Sequence, residues 1–350
     1  NYSFVFDFYS SCYSLLSKKR EEEGHMINYI IRRSIYAIPI LIGVNLLTFF
    51  LFFVVNSPED MARMHLGDKR VSNSAIEQWQ AERGYNKPLV FNQNMEGMKK
   101  ITETIFYEKS LKLFVFEFGQ SDSGRNIGHD ISQRMWPSLA IAIPIMIVGL
   151  AVNVSFSLML AFFRGSGFDL GGVILCVAMM SISGLFYIIG GQVLMGKLLS
   201  LTPISGYDTG LNAWKFLILP VIIGVVSAIG SGSRWYRTLF LEEINKDFVR
   251  TARSKGLSDN FILFRHVLRN ALIPILTGVV VVIPTLFLGS LLLESFFGIP
   301  GLGSYTIDAI QGQDFAVVRA MVFLGAVLYI LGLLLTDISY TLADPRVRLG

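Results

Sequence analysis

Six stretches of this chain are apolar enough and long enough to cross a bilayer: residues 34–55, 138–163, 172–195, 214–230, 273–293 and 320–342. Crossing ~30 Å of hydrocarbon takes about 20 helical residues. Backbone groups find no water there, so each crossing segment must satisfy its own amides and carbonyls, which leaves helices or a closed barrel. These runs are continuously apolar and do not alternate, so the sequence predicts an all-α, polytopic membrane protein with six transmembrane helices. Composition agrees: of 350 residues 52% are hydrophobic and 16% charged, whereas a soluble domain carries nearer a quarter charged residues. The fourth run is short and contains Lys215, a residue that can snorkel to the interface. Pro39, Pro144, Pro220, Pro274 and Pro284 lie in or beside the runs and predict bent helices packed against neighbours.

The loops carry the orientation. One alternating set of short segments holds 16 basic residues: Lys18, Lys19, Arg20, Arg32, Arg33, Arg164, eight from Arg234 to Arg269, Arg346 and Arg348. The opposite short loops are represented by Lys197. The positive-inside rule then places both termini, and the segment 231–272, in the cytoplasm. The net charge of +4 is explained by this distribution and implies no nucleic-acid partner. Residues 57–136 form a large external loop with 11 basic and 11 acidic side chains. That is enough for a small extracytoplasmic subdomain between a first helix with its cytoplasmic lead-in (26–56) and a core (137–345) ending in a short tail (346–350). Residues 1–25 place a basic cluster after a mildly apolar patch, the reverse of a signal peptide. They read as a cytoplasmic extension of unknown purpose, or as an upstream translation artefact with Met26 as the natural start.

Chemistry-bearing patterns are sparse. Gly191 to Lys197 matches GxxxxGK, but Leu198 stands where a Mg²⁺-binding Ser or Thr belongs and the segment ends an apolar run. His25, His65, His129 and His266 are scattered, without HExxH or CxxC, so no metal or catalytic residue is assigned. Cys12 and Cys176 make no disulfide framework. Asp337 is the one acid within a run and lies near the inner end of the last helix, which suits helix packing better than proton coupling. An ion-driven carrier would have to rely on it alone. A chain with six spans and no engine points to a partner that supplies the energy; a non-transporting scaffold is the remaining alternative.

The cytoplasmic segment 238–272 is where a partner would bind. Its pattern predicts two amphipathic helices broken at Gly256: Leu241, Ile244, Phe248 and Ala252 form one stripe, and Leu257, Phe261, Phe264, Leu268 and Leu272 the next. Arg253 and Lys255 suit a helix C-terminus, Gly256 a left-handed cap, and Ser258 followed by Asp259 a new N-terminus. Arg265 and Arg269 share a face at i, i+4. These helices could rest on the membrane surface, or present the bend to a soluble partner.

The segment Asp247-Phe248-Val249-Arg250-Thr251-Ala252-Arg253-Ser254-Lys255-Gly256-Leu257, followed by Arg265-His266-Val267-Leu268-Arg269-Asn270-Ala271-Leu272-Ile273-Pro274, resembles the coupling loop of ABC importer permeases of the dipeptide/oligopeptide branch. The wider family has Glu-Ala-Ala, three residues, then Gly; Arg250-Thr251-Ala252 stands there in this chain, as in the peptide branch. Further markers are Met26 to Arg33, Gly84 to Pro88, Phe118 to Ser121, Leu219-Pro220 and Asp344-Pro345-Arg346. An outer stretch also matches, with Glu294, Phe297, Pro300, Gly301, Leu302, Gly303 and Asp308. Asn56-Ser57-Pro58 departs from a usual Pro-Gly pair.

The resemblance implies a type I ABC importer permease-like fold in a bacterial inner membrane. Arg250 to Leu257 would couple to an ATPase subunit, supported by Asp247, Arg265, His266, Arg269, Asn270 and Pro274. Glu294, Pro300, Gly301, Gly303 and Asp308 would lie on the external face. It also implies a homologous second permease, two cytoplasmic ATPases carrying ATP and Mg²⁺, and an extracytoplasmic solute-binding protein, with this chain binding no cofactor and performing no covalent chemistry. Peptide-like solutes are the implied cargo; nickel or another small solute is the alternative within the same branch.

Overall fold

The computed structural model describes residues 31–67 and 72–343. Expectations for residues 1–30, including the extension and the stretch opening at Met26, and for Asp344-Pro345-Arg346 and the tail, fall outside the described residues. Among the described residues five continuous helices are long and apolar enough to span a membrane: Ile31–Val55, Ile127–Phe162, Ala213–Ile244, Asp259–Leu288 and Phe315–Ser339. They are spans 1, 2, 4, 5 and 6. Span 3 is a bent pair, Gly167–Ser181 and Gly184–Leu198, whose two arms meet at 90°. The third apolar run is therefore not one straight crossing, because Ile182 and Ser183 take extended dihedrals between its halves.

Several boundaries shift for local reasons. Span 2 begins at Ile127, where Asn126 caps the amide of His129, so helix replaces loop up to Trp136. Span 4 runs on to Ile244 and is not short; Lys215 stays exposed near its outer end. Span 5 stops at Leu288, short of Leu293, because Gly289 has φ +69 and turns the chain into the separate outer helix Leu291–Phe297. Pro144, Pro220 and Pro274 sit inside helices that continue through them.

Spans 2 and 4 form the central pair, and small residues let their backbones approach. A Cβ on Gly232 would lie 2.8 Å from the Asn153 side chain, and one on Gly224 would run into the Ile145 side chain. Between them the Ser233 hydroxyl donates to Asn153 Oδ1 at 2.8 Å, and Asn153 Nδ2 donates to the Gly149 carbonyl at 2.8 Å. The inner arm of span 3 lies against the same span 4, where a Cβ on Gly230 would meet the Cys176 carbonyl at 2.7 Å. Cys176 is a buried free thiol, packed as a small hydrophobe.

The outer loop folds onto the ends of spans 1 and 6. Ser57 and Asp60 make a capping box with Pro58 in the first turn, so Asn56-Ser57-Pro58 launches the helix Pro58–Leu66. Phe49 and Phe53 of span 1 share a core with Met61, Ala62, Ile76, Trp79, Tyr85 and Ile105 of the loop. Asn45 Nδ2 donates to the Ser110 carbonyl at 3.1 Å. Arg319, to which the sequence reading gave no role, is 5% exposed within span 6. It stacks over the Phe53 ring at 4.6 Å and donates to the Lys109 carbonyl at 3.3 Å. At the opposite end Arg33 pairs with Asp337 at 2.9 Å, tying span 1 to span 6. That contact gives Asp337 a packing role.

Because Gly230 is a close-approach position, Gly230→Leu should destabilise the folded protein by about 1–3 kcal/mol through overpacking, read as a lower melting temperature in detergent. Gly171→Ala, where an added Cβ meets nothing within 4 Å, should leave the transition almost unmoved; equal shifts would contradict the packing described.

Candidate functional site

The C-terminal end of span 4 passes directly into the segment for which the sequence predicts a cytoplasmic position. Asn245 and Lys246 end the long helix, and a separate eight-residue helix follows, Asp247–Ser254. The stripe from Leu241 to Ala252 is therefore split between two helices, because Lys246 is extended at ψ 155. The second amphipathic helix is also not separate: Asp259–Leu288 runs without a break from the Gly256 turn side into span 5, with one π-helical stretch at Leu263–Val267.

The capping signals act where the sequence puts them. Gly256 has φ +77; its amide donates to the Arg253 carbonyl at 2.9 Å, and the Leu257 amide to the Ala252 carbonyl at 3.3 Å. This is a Schellman ending, which needs a left-handed residue and therefore favours glycine. Ser258 then accepts from the Phe261 amide at 3.4 Å and opens the next helix.

The short helix has two faces. Val249 and Ala252, 1% and 6% exposed, enter a core with Leu158 and Ala161 of span 2, Phe240 of span 4, and Ile262, Val267 and Ala271 at the start of span 5. The other side is open: Asp247, Arg250, Thr251, Arg253, Ser254, Lys255, Gly256 and Leu257 are all exposed. Arg250 pairs loosely with Asp247 at 3.5 Å, and Arg253 reaches Asp259 at 3.0 Å across the Gly256 turn. Exposed pairs of this kind add little stability but hold two guanidinium groups in place. Beside the helix is a cavity of about 400 Å³, with Arg164, Arg250, Arg253 and Asp259 among its polar lining and Phe162, Ile244 and Leu263 among its apolar lining. Arg265, Arg269 and Asn270 are exposed further along, His266 and Pro274 half-buried, and the His266 ring stands 5.9 Å from that of Phe261.

A strong ion pair that sequence reasoning missed braces this end. Arg237 of span 4 donates through Nε and Nη2 to the two carboxylate oxygens of Asp169, both at 2.8 Å. Asp169 lies in the first turn of span 3's inner arm, capped by Ser166, and also accepts from the Gly165 amide at 3.0 Å. Bidentate geometry in a half-buried setting fixes orientation. No local pattern could have found it, since the partners are 68 residues apart.

The outer candidates divide. Pro300 and Asp308 are exposed, but Glu294, Gly301 and Gly303 are buried, so these three do not present an external face. Glu294 instead fastens the outer segment: its carboxylate accepts from the amides of Ser290 and Ser304, each at 3.1 Å. Burial pushes the Glu294 carboxyl above its ordinary value, while hydrogen bonds from Ser138, Ser304, Ser290 and Gly303 pull the other way. Ser138 of span 2 accepts from the Leu302 amide at 2.8 Å, joining the segment to the central pair. Gly191 to Lys197 lies in the helical outer arm of span 3, with no strand before it, so it does not have the architecture of a phosphate cradle.

Residues 153–349 match the model of the binding-protein-dependent transport system inner membrane component, and residues 26–135 match that of its N-terminal region. A putative peptide transport system permease protein of Brucella abortus is 32% identical, covering 92% of this chain and 99% of the relative. An oligopeptide transport system permease protein of Bacillus subtilis is 29% identical, covering 92% and 100%. A dipeptide transport system permease protein of Escherichia coli is 30% identical, covering 92% and 99%.

The exposed helix keeps its shape through Val249. Val249→Asp would bury a charge in the apolar core and should release the helix, raising tryptic cleavage at Arg250, Arg253 and Lys255 about 10-fold through local opening. Thr251→Asp, on the open face, should not change the cleavage rate. A slow rate for both variants would show that the helix is held by something other than this core.

Proposed function

The chain belongs to the family of binding-protein-dependent transport system inner membrane components, and from that premise we propose that it forms half of the pathway of an ATP-driven importer of peptides or peptide-like solutes. The observation that carries the coupling mechanism is the short helix Asp247–Ser254, anchored by Val249 and Ala252 and open along Arg250 to Leu257. Such an element suits a groove on a soluble partner, with guanidinium groups fixing its register.

The partners in this reading are a homologous permease, two cytoplasmic ATPases and an extracytoplasmic binding protein that delivers the solute. ATP and Mg²⁺ are held on the ATPases, and this chain binds no cofactor. Both termini and the Arg250 to Leu257 surface face the cytoplasm, as the distribution of basic residues supports. The peptide cargo is supported by what the relatives are called.

The work cycle follows from rigid connections. Closure of the ATPases displaces the short helix; its core contacts pull on span 4, which it follows directly, and on the inner ends of spans 2 and 5. Arg237 hands the motion to span 3 through Asp169. ATP binding then shifts the balance between an inward-open and an outward-open arrangement, provided that it favours one of them.

The test uses the assembled transporter in liposomes with its binding protein and a labelled dipeptide. Gly256→Val forces a β-branched residue into the left-handed position, and Arg253→Glu sets two acids against each other at the Gly256 turn. Each should lower uptake per ATP hydrolysed by about 10-fold, a coupling loss of roughly 1.4 kcal/mol, while the amount of protein in the membrane stays within about twofold, as expected for changes on an exposed surface. Unaltered transport in both variants would remove the coupling role. Uptake that survives ATP depletion under an ion gradient but fails in Asp337→Asn would instead favour an ion-driven carrier.

A further inference from the structure

The bend in span 3 lies where an irregular backbone is costly. Its inner arm, Gly167–Ser181, has 15 residues and so reaches about 22 Å, less than the ~30 Å of hydrocarbon. Arg164 and the Asp169–Arg237 pair mark the arm's polar inner end. On the permease reading, the break at Ser181 to Gly184 therefore falls inside the hydrocarbon layer.

The break is a true interruption of the hydrogen-bond ladder. Ile182 and Ser183 are extended, with ψ 127 and 144, and the Ser183 hydroxyl makes no capping bond. Proline is not the cause, since Pro144, Pro220 and Pro274 sit in helices that run on. Part of the damage is repaired locally: the Tyr187 hydroxyl and the Ile182 amide both donate to the Met179 carbonyl, at 2.8 and 3.3 Å, and the Ser181 hydroxyl donates to the Val177 carbonyl at 2.9 Å. The amides that open the outer arm, Gly184 and Leu185, are first-turn donors with no preceding turn to serve them.

The fold does not cover this place. Ser181, Ile182, Ser183, Gly184, Leu185 and Phe186 are all exposed, Phe186 at 72%. Non-helical backbone at membrane depth is tolerated where protein buries it or where it lines a water-filled cavity, not against lipid. This chain does not bury it. We infer that the Ser181–Gly184 break is part of the wetted wall of the translocation pathway, where water, and then the hydrogen-bond-accepting groups of a polar solute in transit, meet the free amides. The inner arm is locked to span 4 by the Arg237–Asp169 pair and at Gly230, while the outer arm is held at Gly191 against Ile223 and by Gln192 Nε2 donating to the Phe296 carbonyl at 3.0 Å. The break is thus the joint between two separately held arms, as a gate position requires.

The experiment places single cysteines in the assembled transporter, in native membrane lipid, and measures modification by a charged, membrane-impermeant methanethiosulfonate during ATP turnover. Cys12 is first replaced by Ser, and native Cys176, which is buried, then serves as the slow background. A thiol must ionise to react and does so poorly in hydrocarbon, so Ser183→Cys should react at least about 10-fold faster than Ile174→Cys or Val177→Cys, exposed apolar positions further along the inner arm. A saturating transported dipeptide should slow it. If Ser183→Cys fails to assemble, Ser181→Cys takes its place. The inference is overturned if the rate at the break matches the apolar-face controls in resting, ATP-bound and trapped states alike. It is equally overturned if the break cysteine forms a disulfide to the second permease without any aqueous modification. Fast labelling in a transporter that shows no ATP-driven uptake would defeat the permease reading while leaving the wet break standing.

Discussion

The contact between spans 2 and 4 is the interaction on which the rest of the molecule depends. In a bilayer there is no hydrophobic gain from bringing two apolar helices together, so association rests on close packing and buried hydrogen bonds. Gly224 and Gly232 provide the approach, and the Ser233–Asn153–Gly149 chain of hydrogen bonds sets the register. The short helix Asp247–Ser254, the bent span 3 and the outer segment are all mounted on this pair. The short cytoplasmic helix follows the inner end of span 4, the inner arm of span 3 lies along its side, and Ser138 of span 2 holds the outer segment through Leu302.

The two ends of the molecule are built differently. The outer end is stiffened by buried polar groups: Glu294 gathers the amides of its own segment, and Arg319 fastens the external loop to span 6 over the Phe53 ring. Each is expensive to bury alone and is retained with several partners. The inner end keeps its charges on the surface. Arg250 and Arg253 are paired but exposed, so these guanidiniums can exchange their carboxylates for those of a partner at little cost.

Between the ends, span 3 is the element least supported by its own backbone. Its inner arm is clamped by Arg237 and its outer arm by Gln192, and the joint between them is left open. The π-helical stretch of span 5 at Leu263–Val267 is flanked on both sides by residues with helical dihedrals, Ile262 and Leu268, and the helix runs on through it. Span 3 changes direction because two consecutive residues leave the helical region together.

The class of fold, the capping on either side of Gly256 and the family were legible in residue order. Apolar run length is a property of adjacent residues, and so are the Gly256 turn, the Ser258 cap and the motif around Arg250. Each depends on neighbours a few positions away, and each stands in the structure where the sequence places it. That span 3 is broken, that span 4 reaches Ile244, that Glu294 is buried, and that Arg237 finds Asp169 and Arg319 finds Phe53 became visible in three dimensions alone. Hydropathy cannot register the break, because the two arms of span 3 are equally apolar and what separates them is a pair of backbone dihedrals. The ion pair and the buried glutamate depend on groups distant in the chain, whose meeting is set by how the helices pack and not by any local pattern.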